Sequence, residues 1–467
     1  MNLSCSLTEG SIAHNLLRFA LPMLYANALQ VFNGSVNSLW VGRYLGEAAL
    51  TATLNANMVI FLVIGMVFGI ASGCTILVGK YVGANSTSEA KSVVGTGTSF
   101  FSVVSVIMTV AGLTLCKPLL ILMSTPADSI LLAVAYMRVM CIALPCMFMY
   151  SFVISILRGA GDSKTPLHFM VLSVTLDVVL NPVLIFGFGP VPALGIVGSG
   201  VATLVSQGIG LAALIYSLYL RHHPLCFQRS DVGLLRIDWA ILSQLVRTGM
   251  PMSVEMFVLS LGIVLMTSLV NRFGVNTAAA FGAAMQLWSY VQMPGLAVSM
   301  AATSMAAHNV GARKWERLAV IAKVGVLYAV LLTGVLVWIV EVFNSQAFGL
   351  FLPQGSEALK IGGHLNRIST WSFMFVGVFW VLSGVARAAG AVMAPLVVLT
   401  VSVLLVRFPI AEALLDRYQT DAIWWSFSIS AVVAAALAGF HYKYGSWRVE
   451  RILPTGDPMT VPSKKGS

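Results

Sequence analysis

Asp177 is the residue best placed for chemistry in this chain. It sits within "TLDVVLNPVLIFGFG", residues 175–189, an otherwise apolar run. Asn181 follows four positions later, one helical turn away on the same face. Pro182, which has no N–H, frees the carbonyl of residue 178. A carboxylate, an amide and a free carbonyl oxygen together suit reversible binding of a proton or of Na⁺; a neutral Asp hydrogen-bonded for helix packing is the plainer alternative. Four more ionisable residues interrupt apolar runs: Glu255, one turn beyond Pro251, and Arg138, Arg367 and Arg407. An ionised side chain near a bilayer centre costs at least about 2.5–3.5 kcal/mol, so each needs a reason. For the arginines the expectation is snorkelling to the interface or pairing with helix ends.

Enzyme motifs find no support. "GDS" at 161–163 lacks the strand-to-helix setting and His partner of a nucleophile elbow, and "GFGP" at 187–190 lacks the later glycines of a dinucleotide loop. No P-loop is present. The six cysteines are scattered with no C-x-x-C spacing and read as small apolar packers, and His222 and His223 as solvated loop residues. The expectation is therefore a protein that is no enzyme and carries no cofactor.

The elements that position these residues follow from composition. Of 467 residues 58% are hydrophobic and only 9% charged, and the mean hydropathy is +0.89. That composition, with apolar runs longer than the roughly 20 residues a crossing helix needs, indicates an all-α integral membrane protein. Apolar windows predict twelve transmembrane helices near 14–41, 52–79, 92–115, 130–157, 166–187, 195–220, 248–271, 277–307, 318–342, 358–386, 394–415 and 422–442. The net charge of +10 comes from single Lys and Arg residues between apolar runs, which argues for topology and against nucleic acid. About 19 of them fall on the side of both termini and about 8 on the other, so both termini are expected in the cytoplasm.

The chain repeats itself. Pro22 and Pro251, Arg43 and Arg272, Arg138 and Arg367, Arg158 and Arg387, and Pro166 and Pro395 all stand 229 apart. Six spans per copy is an even number, so the two pseudo-symmetric six-helix bundles share orientation and should enclose a central cavity. The expected division is an N-lobe at 1–220, a cytoplasmic linker at 221–238, a C-lobe at 239–445 and a disordered basic tail at 446–467. "RGAGDSKTPL", residues 158–167, reads as a turn between spans, with Arg158 an interfacial anchor, glycines for the reversal and Pro166 opening the next helix at its first position. Its copy, "RAAGAVMAPL" at 387–396, keeps Arg387, Gly390 and Pro395 but not the Asp or the Lys. At the same offset Asp177 meets Val406, so the cation site is expected in the first half only. Gly65, Gly69 and Gly73 form a small-residue ladder suited to close helix contact.

"ALPM" at 20, "VNSLWVGRYLG" at 36, "RGAGDSKTPL" at 158, "LNPVLIFGFG" at 180 and "LGIVGSGVAT" at 194 together resemble the multidrug and toxic compound extrusion (MATE) transporters, across essentially the whole chain. The resemblance implies a bacterial-type, two-lobe antiporter of the cytoplasmic membrane. It would export cationic or amphipathic small molecules in exchange for H⁺ or Na⁺, by rocking of the lobes and as a monomer. The family's N-lobe cation site is similar to Asn37 in span 1, Asp177 and Asn181 in span 5 and Thr203 in span 6. Na⁺ at Asp177 is the one metal this admits. The family's usual Val-Asp in span 1 is Val36-Asn37 here, which leaves Asp177 as the N-lobe charge. Candidate cavity residues are Gln30, Asn33, Met170, Gln286 and Glu255, the last either meeting a cationic substrate or lining the cytoplasmic entrance. A flippase for a lipid-linked or polysaccharide precursor is the alternative; twelve spans and few mid-membrane Lys or Arg argue against it.

Overall fold

The computed structural model describes residues 5–123, 125–189, 192–445 and 447. Among them no strand forms, and the helices match the twelve predicted spans one for one. They are α1 Ile12–Tyr44, α2 Glu47–Gly83, α3 Thr87–Leu122, α4 Ala127–Gly159, α5 Lys164–Phe186 and α6 Ile196–Leu220, then α7 Trp239–Asn271. α8 runs Val275–Val291 and, past a break at Gln292, Met293–Gly311; α9 is Glu316–Val342. α10 runs Glu357–Ser369 and Phe373–Ala389 around a tight turn, and α11 comprises Met393–Thr400, a π-helical stretch Val401–Arg407 and Phe408–Tyr418. α12 is Thr420–Tyr444. Ten of the twelve satisfy a simple length-and-hydropathy rule. The two that do not are α1, which carries Asn27, Gln30, Asn33 and Asn37, and the broken α8. The expected basic tail lies outside the described residues apart from Trp447.

Within the first half α4 packs on α2, α3 and α6, and α5 lies between α1 and α6; in the second, α10 packs on α8, α9 and α12, and α11 lies against α7 and α12. The halves meet along α2 and α7, where the predicted glycine ladder does its packing. Gly69 abuts the backbone of Ser253, Gly73 that of Gly249, and Gly65 faces Met256. Nearly three turns further on Gly83 touches the backbone of His308 and Gly311 that of Lys80. Lipid gives helices no hydrophobic drive to associate, so backbone approach and buried hydrogen bonds hold such a seam. His308 Nε2 donates to the Gly159 carbonyl at 2.6 Å, and Ser304 Oγ to the Arg158 carbonyl at 2.6 Å. Both described ends of the chain lie on this face: Asn309 Nδ2 donates to the Leu7 carbonyl at 3.0 Å, and Trp447 Nε1 to that of Tyr442 at 2.8 Å.

Toward the opposite face the seam opens. The α2 surface that carries Gly65 and Gly69 continues at helical spacing through Phe61, Met58 and Leu54, which are 55%, 46% and 56% exposed. The matching α7 surface beyond Ser253 continues through Phe257 and Val264, 54% and 43% exposed. The surfaces that cover each other at one end are exposed at the other.

Two expectations about the 158–167 turn need correcting. Arg158 is buried, 7% exposed, because the seam covers it. Pro166 is the third residue of α5, not the first, since Asp162 already opens the helix: its Oδ1 accepts from the N–H groups of Lys164 and Thr165 at 3.0 and 2.9 Å. The acidic residue is thus part of the turn. The glycine expectation holds, with Gly161 at φ +87° and Gly390 at φ +108°. The 221–238 segment is docked on α3, with Lys91 Nζ 2.7 Å from Asp231 and the Leu234 carbonyl against Gly95. Within it His222 is exposed, while the half-buried His223 accepts from the Leu225 N–H through Nδ1 at 3.3 Å.

Candidate cation site and its second-half counterpart

The buried face of α5 carries Met170, Ser173, Asp177, Asn181 and Ile185, and Asp177 is 2% exposed. α1 and α6 supply its donors. Asn33 Nδ2 and Asn37 Nδ2 both donate to Oδ2 at 2.8 Å, while Thr203 Oγ1 and Ser206 Oγ donate to Oδ1 at 3.2 and 3.3 Å. Asn181 Nδ2 donates to Asn37 Oδ1 at 2.9 Å and to the Asp177 carbonyl at 3.1 Å. Asp177, Asn181, Asn37 and Thr203 are therefore brought together. Asn33, expected in the substrate cavity, belongs to the same shell, one turn before Asn37 on α1. Ser206 was not anticipated; its signal was a second hydroxyl three residues past Thr203 on one helix face. The carbonyl that joins the network is that of Asp177 itself and not that of residue 178.

Four donors to one buried carboxylate stabilise its charge. Two oxygens beside it remain unused: Asn33 Oδ1 and Asn181 Oδ1 are buried without a hydrogen-bond partner. A buried acceptor left unmade costs about 1–3 kcal/mol. Carboxylate, amide and hydroxyl oxygens converging in one place are the donor set that a hard cation such as Na⁺ takes, and an acceptor set for a mobile proton. Toward the C-terminal end of α1 the same helix face continues from Asn37 to Trp40 and Tyr44. Their rings pack on Phe186 with centroids 6.2 and 5.2 Å apart, an aromatic cover at the C-terminal ends of α1 and α5.

The other expected cavity residues divide. Gln286 Nε2 donates to Ser35 Oγ at 2.9 Å, and Ser35 shares a 2.9 Å hydrogen bond with Tyr290 Oη, so α8 meets α1 beside the site. Gln30 is exposed on α1, and Met170 is buried two turns from Asp177. Glu255 is engaged within the protein: Arg387 Nη2 lies 2.6 Å from its Oε2 with both residues buried. Arg387 is thereby paired inside the protein, which offsets part of the cost of burying its guanidinium.

Of the three outer arginines, Arg138 and Arg367 are exposed, as snorkelling predicts. Arg407 is not. It is half-buried, its Nε donates to Ser430 Oγ at 2.9 Å, and its guanidinium carbon lies 4.5 Å from the centroid of the Phe427 ring.

The MatE family model matches residues 22–183 and 251–411, two stretches that begin 229 apart, the offset of the internal repeat. A Bacillus subtilis protein, probable multidrug resistance protein YoeA, is 34% identical over 95% of this chain and 96% of its own length. A second from the same organism, probable multidrug resistance protein YpnP, is 29% identical over 96% and 98%. The fold is similar to a solved structure described as the outward-facing conformation of a multidrug resistance MATE family transporter, with a TM-score of 0.88 and 21% identity over 94% of this chain and 97% of that one. Both halves are matched and the alignments run nearly end to end: the chain is a multi-pass membrane protein that belongs to the MatE family of transporters.

Proposed function

We propose that this multidrug efflux transporter is an antiporter that exports cationic, amphipathic compounds from the bacterial cytoplasm in exchange for H⁺ or Na⁺, with Asp177 carrying the coupling ion. The observation that supports it is the Asp177 carboxylate, buried among three helices, held by four donors and flanked by two unpartnered amide oxygens. By the charge count the face that bears both chain ends is cytoplasmic, so the closed seam lies inside and the cleft opens outward. The 1–220 and 239–445 halves then rock about the seam as N-lobe and C-lobe.

Ion binding has a mechanical consequence in this geometry. A cation at Asp177 Oδ2 displaces the Asn33 and Asn37 N–H groups or turns their oxygens inward, and both amides sit on α1. The same helix is tied to α8 through Ser35 and Gln286. Occupancy at Asp177 is thereby felt at the junction of the halves. For a substrate without net charge, one ion crossing 100 mV supplies about 2.3 kcal/mol, enough for a roughly 50-fold gradient, whereas one-for-one exchange with a monovalent cation moves no net charge and draws on the ion's concentration gradient alone.

The test is efflux of a lipophilic cationic dye from proteoliposomes with a pH gradient or a Na⁺ gradient imposed separately. Uphill movement with one gradient names the ion. Asp177→Asn, inserted and folded, abolishes that movement; undiminished transport in the variant removes Asp177 from the mechanism.

A further inference from the structure

We propose that Arg407, Ser430 and Phe427 form an anion-recognition subsite in the second half, which takes the acidic group, carboxylate or phosphate, of a zwitterionic or anionic amphiphile. It rests on the transporter reading only for what that group belongs to.

The placement follows from the repeat. α6 and α12 are both 25 residues long, and Thr203 and Ser206, the eighth and eleventh residues of α6, bond Asp177. The eighth and eleventh residues of α12 are Phe427 and Ser430, and these two are the partners of Arg407. The 229 offset pairs Asp177 with Val406, yet the structure puts the next residue in that role. The π-helical stretch Val401–Arg407 gives the reason. A π turn takes up one extra residue, which shifts the register by one, and such turns recur at functional sites. The two halves therefore present opposite charges at equivalent positions: a carboxylate with two hydroxyls in the first, a guanidinium with a hydroxyl and an aromatic face in the second.

Arg407 needs an anion that the protein does not supply. Among the described residues it forms no ion pair with any Asp or Glu, and Nε makes its one hydrogen bond, so both terminal nitrogens are free to donate. It stands 14 residues from one end of the 26-residue Met393–Tyr418 span and 11 from the other. Ser430 and Phe427 fix the guanidinium plane, leaving its Nη edge for bidentate recognition of a carboxylate or phosphate. Phe281 and Trp288 pack on Phe427, 6.0 and 5.4 Å from it between centroids, and hold its buried ring beneath the guanidinium.

The experiment uses the full chain in lipid nanodiscs and three probes with one aromatic body: 1-naphthoate, 1-naphthyl phosphate and 1-naphthylmethylammonium, with affinities read by calorimetry. At least one acidic probe binds the unaltered protein, and comparing the two tells carboxylate from phosphate recognition. Arg407→Gln weakens that binding by about tenfold or more, Arg407→Lys weakens it less, Ser430→Ala lies between Lys and the unaltered protein, and the ammonium probe is unchanged throughout. Thermal unfolding monitors each variant, and the Lys and Ser430 variants carry the test if Gln fails to fold. The proposal is overturned if neither acidic probe binds at millimolar concentration, if folded Arg407 variants retain full acidic-probe affinity, or if both probe charges lose affinity equally, the mark of a merely structural arginine. Failure of the Asp177 mechanism appears in the gradient-driven efflux assay and leaves this result standing.

Discussion

Arg387 reaches Glu255 across 132 residues of sequence with a 2.6 Å hydrogen bond, buried on both sides, while their first-half counterparts at the 229 offset are Arg158 and Ala26. The repeat kept the arginine twice and its carboxylate once. Removing one member of a buried pair strands the other, which costs about 3–5 kcal/mol. Glu255→Ala should therefore lower unfolding stability in detergent by about that much, and Glu255→Leu with Arg387→Met should recover most of it. Arg158→Met strands nothing and should leave stability equal or higher. A harmless Glu255→Ala would show that the pair carries no stability.

Closure of the seam depends on glycine at Gly69 and Gly83, where an added Cβ meets the backbones of Ser253 and His308. Gly69→Ala and Gly83→Ala should hold the halves apart on the face of the chain ends. Spin labels at the exposed residues Ser88 and Arg313 would read this as a longer distance than in the unaltered protein. An unchanged distance distribution would mean that the helices slide to accommodate the methyl.

Ser206 and Asn33 both donate to Asp177. Each donor contributes about 1 kcal/mol net, so Ser206→Ala and Asn33→Ala should each slow initial dye efflux about fivefold, with Asn33 the more severe. Rates equal to those of the unaltered protein would separate the hydrogen-bond shell from transport.

Asp162 caps α5 through two backbone N–H groups. Asp162→Ala should cost about 1 kcal/mol and Asp162→Asn only a few tenths, measured by denaturant unfolding. The same two variants should transport alike once folded, because the cap positions a helix and touches no ion.

In the docked linker, His223 accepts through Nδ1 from Leu225 and burial holds its pKa below the ordinary 6.5, partly opposed by Asp162. The folded state favours the neutral ring, so this turn contributes its full stability above about 6.5 and loses it as pH falls through the lower folded value. The protection factor of the Leu225 amide, its exchange rate relative to the intrinsic rate at the same pH, should fall on acidification, and His223→Ala should abolish that fall.

Hydropathy and the 229 offset were enough to read twelve spans, the paired halves and the Asp177–Asn181 face, because membrane helices declare themselves by composition and a helix turn by spacing. Asn37 and Thr203 joined Asp177 through family resemblance, since nothing local ties residues 140 and 26 positions away to it. The Glu255–Arg387 pair was invisible for the same reason of distance. Arg407 was singled out but its Ser430 and Phe427 partners were not foreseen, for a different reason: a π turn changes register without changing composition, so an offset that holds for Pro166 and Pro395 is one residue out further along.

The opposed charges of the two halves bear on how voltage acts on the carrier. Asp177 lies 13 residues into its span and Arg407 14 into its own, at nearly the same depth. An ion-free protein that reorients with both in place displaces charges of opposite sign, and their contributions to electrogenicity largely cancel. Each would otherwise exchange up to about 2.3 kcal/mol with the field per 100 mV. In the proposed antiport cycle the return stroke would thereby be nearly voltage-silent with respect to these two residues, leaving the membrane potential to act on the net charge of cargo and coupling ion.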